Sequence, residues 1–174
     1  MVINERDTRI PVSCWLGLYI LADRALLPTT CKTEAGTFRD CDPHLEIDYS
    51  DRAALRAALQ KALLAGNPEI SKPTKEQRQK LAPTAVAAKA QSWSELERKS
   101  IFFGIRQYPT EIIVEAWAKN SDGSWSENKS FEVSIAIEAG VDGVVDAILQ
   151  HLSTRKDLPG MTFDFRQPKT ARGA

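Results

Sequence analysis

The residues in this chain best suited to chemistry are few, and none of them completes a constellation. Cys41 and His44 form a C-x-x-H pair, with Cys31 ten residues earlier, and thiolate and imidazole are the ligands zinc prefers. Zinc sites recur at set spacings, and Cys31, Cys41 and His44 match none of them. The other reading, small thiols that are buried or simply exposed, asks nothing more of the chain. His44 and His151 are the only histidines, and His151 reads as a solvent-side member of the last helix. No G-x-S-x-G elbow, P-loop, G-x-G-x-x-G or H-E-x-x-H run occurs. Carboxylate pairs for glycoside hydrolysis can be drawn from any acidic sheet, because sequence spacing does not fix a separation of about 5 or 9 Å. These residues therefore point to no catalytic group, no metal site and no cofactor, and a protein that is not an enzyme is expected.

What the chain does hold in quantity is carboxylates that alternate with apolar residues. Glu46 and Asp48 alternate with Leu45, Ile47 and Tyr49, and Glu111 and Glu115 with Ile112, Val114 and Ala116. Glu132 stands between Phe131 and Val133. A period of two puts each set on one face of a strand. If helices cover the apolar face, the five carboxylates share the opposite one, with Ile113 and Trp117 among them. Trp125 lies in the adjacent hairpin loop with Asp122 and Glu127. Acidic residues around exposed aromatics suit a protein interface aimed at a basic partner, although a solvated antiparallel face alternates in the same way. The candidate interface residues are Glu46, Glu111, Glu115, Trp117, Asp122, Trp125 and Glu132.

The elements that must position these residues occur twice. His44 to Tyr49 is an alternating strand that leads into a helix over 51–65, with Ser50 as its N-cap and Gly66 as its stop. Phe131 to Ile137 leads in the same way into a helix over 140–153. Leu55, Leu59 and Leu63 of the first helix correspond to Val144, Ile148 and Leu152 of the second. A repeat of roughly 90 residues is too long for a solenoid and fits two strand-rich halves that share a core. A polar leader (1–9) precedes a buried strand over Val12 to Leu21. Leu26 to Asp42 is rich in turn residues, with a short strand near Thr37 to Arg39. Ile101 to Arg106 and Ile112 to Ala118 form a meander, turned at Asn120 to Gly123. Leu158 to Gly160 breaks the chain, Met161 to Phe165 adds a last strand, and Gln167 to Ala174 frays. The expected fold is α+β, a single domain over 1–174 with an antiparallel or mixed sheet and helices on one face. Its halves run over about 10–66 and 99–155. The joining insert, 67–98, favours short helices and reads as a cover, a linker or a docking arm.

Composition narrows the function further. Lys plus Arg and Asp plus Glu number 23 each, so no net field steers the chain to nucleic acid or anionic lipid. Three cysteines fit a reducing compartment better than a disulfide framework. The apolar stretch Pro11 to Ala22 is too short to span a bilayer, which needs about twenty residues, and it lacks the flanks of a signal peptide. A cytoplasmic protein with no membrane or nucleic-acid partner is expected.

The alternating strand, polar turn and helix Leu45-Glu-Ile-Asp-Tyr-Ser-Asp-Arg-Ala-Ala-Leu-Arg-Ala-Ala-Leu-Gln-Lys-Ala-Leu63 belong to this picture, as do the connection Gln91-Ser-Trp-Ser-Glu95, the hairpin Ile112 to Trp125 and the second helix. In their order they resemble the immunity proteins of bacterial contact-dependent growth inhibition systems. The resemblance spans about Asp40 to Leu152. It departs at Gly143 and Val144-Val145, where the pattern favours Leu and Ala. It implies a cytoplasmic antitoxin, monomeric in a 1:1 complex, that binds and occludes a cognate toxin domain, commonly a nuclease. It transfers no interface residues. A small hydrolase or nucleotide-processing enzyme with a site between the halves is the alternative.

Overall fold

The computed structural model describes residues 11–155. In chain order these form β1 (Cys14–Ile20), β2 (Ala25–Thr33), β3 (Phe38–Ile47), α1 (Arg52–Ala65), β4 (Glu69–Ile70), α2 (Lys75–Gln79), α3 (Pro83–Ala87), α4 (Trp93–Lys99), β5 (Ile101–Gln107), β6 (Glu111–Lys119), β7 (Trp125–Ala136) and α5 (Gly140–Thr154). Seven strands make one sheet in the order β3-β2-β1-β5-β6-β7, with β4 added parallel to the end of β2. The fold is α+β, as expected, and its two halves are copies. A shift of 87 residues carries Cys14–Ile20 onto Ile101–Gln107. The central strands β1 and β5 are antiparallel with Gly17 opposite Gly104, so a pseudo-two-fold axis passes between them.

Alternation builds the main core. Leu16, Leu18 and Ile20, Ile101, Phe103 and Ile105, and Ile112, Val114 and Ala116 face α1 and α5, and none is more than 2 % exposed. Leu55 and Leu59 meet them from α1, and Val144, Ile148 and Leu152 from α5. Each large side chain buried in this way contributes about 1.5–3 kcal/mol. α1 is capped by Asp51, one residue later than expected, whose carboxylate accepts from the Ala53 and Ala54 amides at 2.9 and 3.1 Å. The Ser50 hydroxyl donates instead to Asp48 at 2.6 Å. Gly66, at φ +67°, ends the helix and donates its amide to the Ala62 carbonyl. Gly143 has a packing reason: a Cβ there would lie 2.7 Å from Ile135 Cγ2, so α5 crosses β7 too closely for Ala or Leu.

Three expectations are corrected. Leu26 to Asp42 is not mostly turn; it holds nearly all of β2 and the first half of β3, joined at Gly36. Thr29, Thr30, Thr33 and Thr37 are β-branched and pair well in strands. Pro28, one of the turn residues of that segment, sits at an irregularity, where the β2–β3 register shifts between Pro28 and Thr29 and β3 carries Asp42 and cis-Pro43 as extra residues. Helices are not confined to one face, because α3 and α4 of the insert cover the other. There Ala85, Ala88, Ala90 and Leu96 pack on Tyr19, Leu21, Leu26 and Phe102. His151 is not solvent-side but 9 % exposed, stacked on Phe131 at 4.6 Å and edge-on to Phe103. The leader and the segments assigned to 156–174 lie outside the described residues.

Candidate binding surface

The insert covers only part of the second face, and the candidate surface is the strip of β5, β6 and β7 beyond it. Gly104 creates room for this strip. Glu115 from β6 lies over it, with Oε1 3.0 Å from where a Cβ would stand. Arg106 Nη2 and Lys129 Nζ each approach Glu115 Oε2 to 2.7 Å, and the Trp117 indole N–H donates to Oε1 at 3.4 Å. Glu132 joins the network through Lys129 and, at 3.7 Å, through Arg106. Burial works against the Lys129 ammonium, but hydrogen bonds to Glu115 and Glu132 outweigh it and hold its pKa above the usual lysine value. The outcome is a neutral, cross-strand network around a 7 % exposed carboxylate.

This corrects the picture of an acidic face. Arg106 comes from β5, a strand with no carboxylates. Lys129 reaches the face through a bulge: Ala116 pairs with Phe131 but Trp117 pairs with Lys129, which moves Lys129 to the side of Glu132. Simple alternation from Phe131 backwards places Lys129 on the helix side, so period two alone missed it.

The seven candidate residues do not form one patch. Glu115, Trp117 and Glu132 come together, and Glu111 continues the row on β6, where its carboxylate accepts from the Ser134 hydroxyl. Glu46 lies on β3 at the far edge of the sheet and pairs with Arg24 at 3.2 Å. Asp122 turns inward to its own hairpin. The Ser124 hydroxyl (2.6 Å) and then the Ser124 amide donate to it and hold its carboxyl below the usual range. Trp125 belongs to the aromatic layer under the insert, 5.1 Å from Phe102, 5.6 Å from Trp93 and 5.7 Å from Tyr19, and Trp117 joins the two regions, edge-on to Phe102 at 5.2 Å. The Trp125 indole N–H donates to the Ser100 carbonyl. Trp93, 42 % exposed at the rim of this layer, was not among the candidates because its helix gave no hint of which way it faces.

The insert is tied down. Asp40 Oδ2 on β3 accepts from the Tyr19 hydroxyl on β1 at 2.6 Å and from the Thr84 hydroxyl on α3 at 2.7 Å. Burial pushes the Asp40 carboxyl up, against the pull of those two hydrogen bonds. The seam between the halves is packed: Phe102 Cε2 lies 3.0 Å from the Cβ position of Gly17. The Cys14 and Cys41 thiols are poor nucleophiles, because burial pushes Cys14 up to about 11, and burial with the neighbouring Cys31 pushes Cys41 up to about 12. His44 lies 3.3 Å from Asp42 and 3.8 Å from Glu46. No group of three metal-ligating side chains converges among the described residues, and no helix among them is long and apolar enough to cross a membrane.

No family model matches the chain, and no curated protein matches its sequence. Among solved structures it is similar to a protein of unknown function, NMB0488 from Neisseria meningitidis, with a TM-score of 0.57 and 11 % identity. The match covers 80 % of this chain and 93 % of that one, and at this identity the likeness is one of fold.

Proposed function

We propose that the chain is a cytoplasmic immunity protein that binds and occludes the toxin domain, a nuclease, of a contact-dependent growth inhibition effector. The observation that carries the reading is the strip of β5–β7, where Arg106, Glu115, Lys129 and Glu132 gather beside Trp117. Arg and Trp recur at the energetic centres of protein interfaces. Ion pairs that already hold these side chains reduce the ordering cost of binding. Glu111 and Glu132 lie toward the rim, where they meet the cations with which a nuclease grips phosphate. The strip offers a partner shape and both signs of charge, so the toxin surface it fits is mixed rather than simply basic.

The test is calorimetric titration of the full chain with the toxin domain encoded beside it, with toxin activity followed in parallel. The expected result is a 1:1 complex in which activity is lost. A toxin domain that stays active and unbound at equimolar concentrations contradicts the reading.

A further inference from the structure

On the helix side of the first half, away from the strip, β1 and β2 part company. They pair only through Tyr19–Leu26 and Ile20–Ala25, after which the chain following α1 enters the gap. Asn67 takes the place of a strand: its Oδ1 accepts from the Trp15 amide at 2.8 Å, and its Nδ2 donates to the Trp15 and Thr30 carbonyls at 2.7 and 2.8 Å. Beneath the parting is a cavity of about 130 Å³ bounded by Leu16, Leu27, Pro43, Leu45 and Ala62.

The other half shows what fills this place. Counting from Leu59 and Ile148, which correspond, Ala62 stands where α5 has His151. Thr29 and Ala116 correspond by the 87-residue shift, and their partners are Cys41 and Phe131. In the second half the imidazole of His151 stacks on Phe131, with planes 26° apart; in the first half Ala62 lines the cavity and supplies no ring. An apolar cavity of about 150 Å³ is known to hold benzene. One polar feature gives the occupant its charged end. Lys61 is the one charged residue lining the cavity; it is exposed and makes no ion pair among the described residues.

We propose that this cavity is a binding site for a small aromatic carboxylate, with the ring under the β1–β2 parting and the acid at Lys61. The site is distinct from the strip assigned to toxin binding and does not rest on that assignment. The test titrates the full chain with 3-phenylpropionate and, separately, with 3-phenylpropanol, following backbone amide shifts by NMR. The expected result is saturable shifts at Leu27, Thr30 and Ala62, with the alcohol and the Lys61→Gln variant each binding roughly three- to five-fold more weakly. Ala62→Phe should supply the missing ring, abolish the shifts and leave the melting temperature equal or higher; if Phe does not fold, Ala62→Leu makes the same test. Shifts that do not saturate, or that survive in the filled variant, overturn the proposal. Equal binding of the alcohol overturns the role of Lys61. Loss of toxin affinity in a folded filled variant overturns it too, by giving the cavity to a partner's side chain.

Discussion

In the second half, β5 and β6 pair at five positions from Phe103–Ala116 to Gln107–Ile112, and His151 and Phe131 fill the space beneath. In the first half, β1 and β2 pair at two, Asn67 bridges the gap, and a cavity lies below. On the opposite face the contrast reverses. The first half is roofed by α3 and α4 over Tyr19 and Leu26, while the second carries a network of charges. One βββα unit has thus diverged twice: its first copy is open inside and covered by helices outside, its second closed inside and lined by ion pairs outside. A pseudo-symmetric scaffold gains specific surfaces in this way, because the β1–β5 seam holds the frame while each half changes its own packing.

The largest effect should come from the charge network of the second half. Glu115→Ala leaves Arg106 and Lys129 facing each other beside Glu132 and should cost about 3 kcal/mol in urea denaturation, the order seen when one partner of a buried pair is removed. A loss below about 1 kcal/mol would mean that solvent screens the network as it does a surface pair. Next is the wedge of the first half. Asn67→Ala strands one amide and two carbonyls and should cost about 2 kcal/mol; amide exchange should quicken at Trp15, while the β5–β6 amides of the closed half keep their protection. Gly143→Ala should follow. Helix propensity gains about 1 kcal/mol, but crowding against Ile135 costs about 1–3, for a net loss near 1 kcal/mol on thermal melting. A gain would show that α5 can move away from β7.

The smallest effect lies where the halves meet on the surface. Asp142 accepts from Arg56 at 2.9 Å and from Arg52 at 3.3 Å, and Arg56 first, then Arg52, holds its carboxyl below the usual range. Because the folded value is the lower one, the pair's contribution is fully present above the ordinary carboxylate pKa of about 3.9 and is lost as pH falls through the lowered value. Asp142→Asn should therefore flatten the acid limb of the melting temperature against pH, and added salt should weaken the wild-type effect. An unchanged acid limb would remove this bridge from the α1–α5 contact.

Much of the frame was readable because burial leaves periodic traces. Leu55 and Leu59 matched Val144 and Ile148, and the Asn120–Gly123 turn fell where expected. Strands rich in Thr and interrupted by Pro28 and Pro43 were lost, because pairing with neighbours, not composition, makes them strands. The candidate surface was half legible. Glu115, Trp117 and Glu132 share a face as alternation requires, but their cations do not follow from it: Arg106 pairs across a strand boundary and Lys129 arrives through a bulge. The burial of Trp125 depends on where the insert folds back, which local sequence does not encode. His151 was misplaced because its polarity suggested water, whereas the position faces two aromatic rings.

The most direct test of the toxin-binding strip compares two edges of the same sheet. Trp117→Ala, at the centre of the strip, and Glu46→Lys, at the far edge on β3, should be titrated against the toxin domain beside the wild-type chain. The account predicts a loss of at least about tenfold for Trp117→Ala, as for an interface hot spot, and wild-type affinity for Glu46→Lys. Wild-type affinity for Trp117→Ala together with a loss at Glu46→Lys would contradict it and move the interface to the other half.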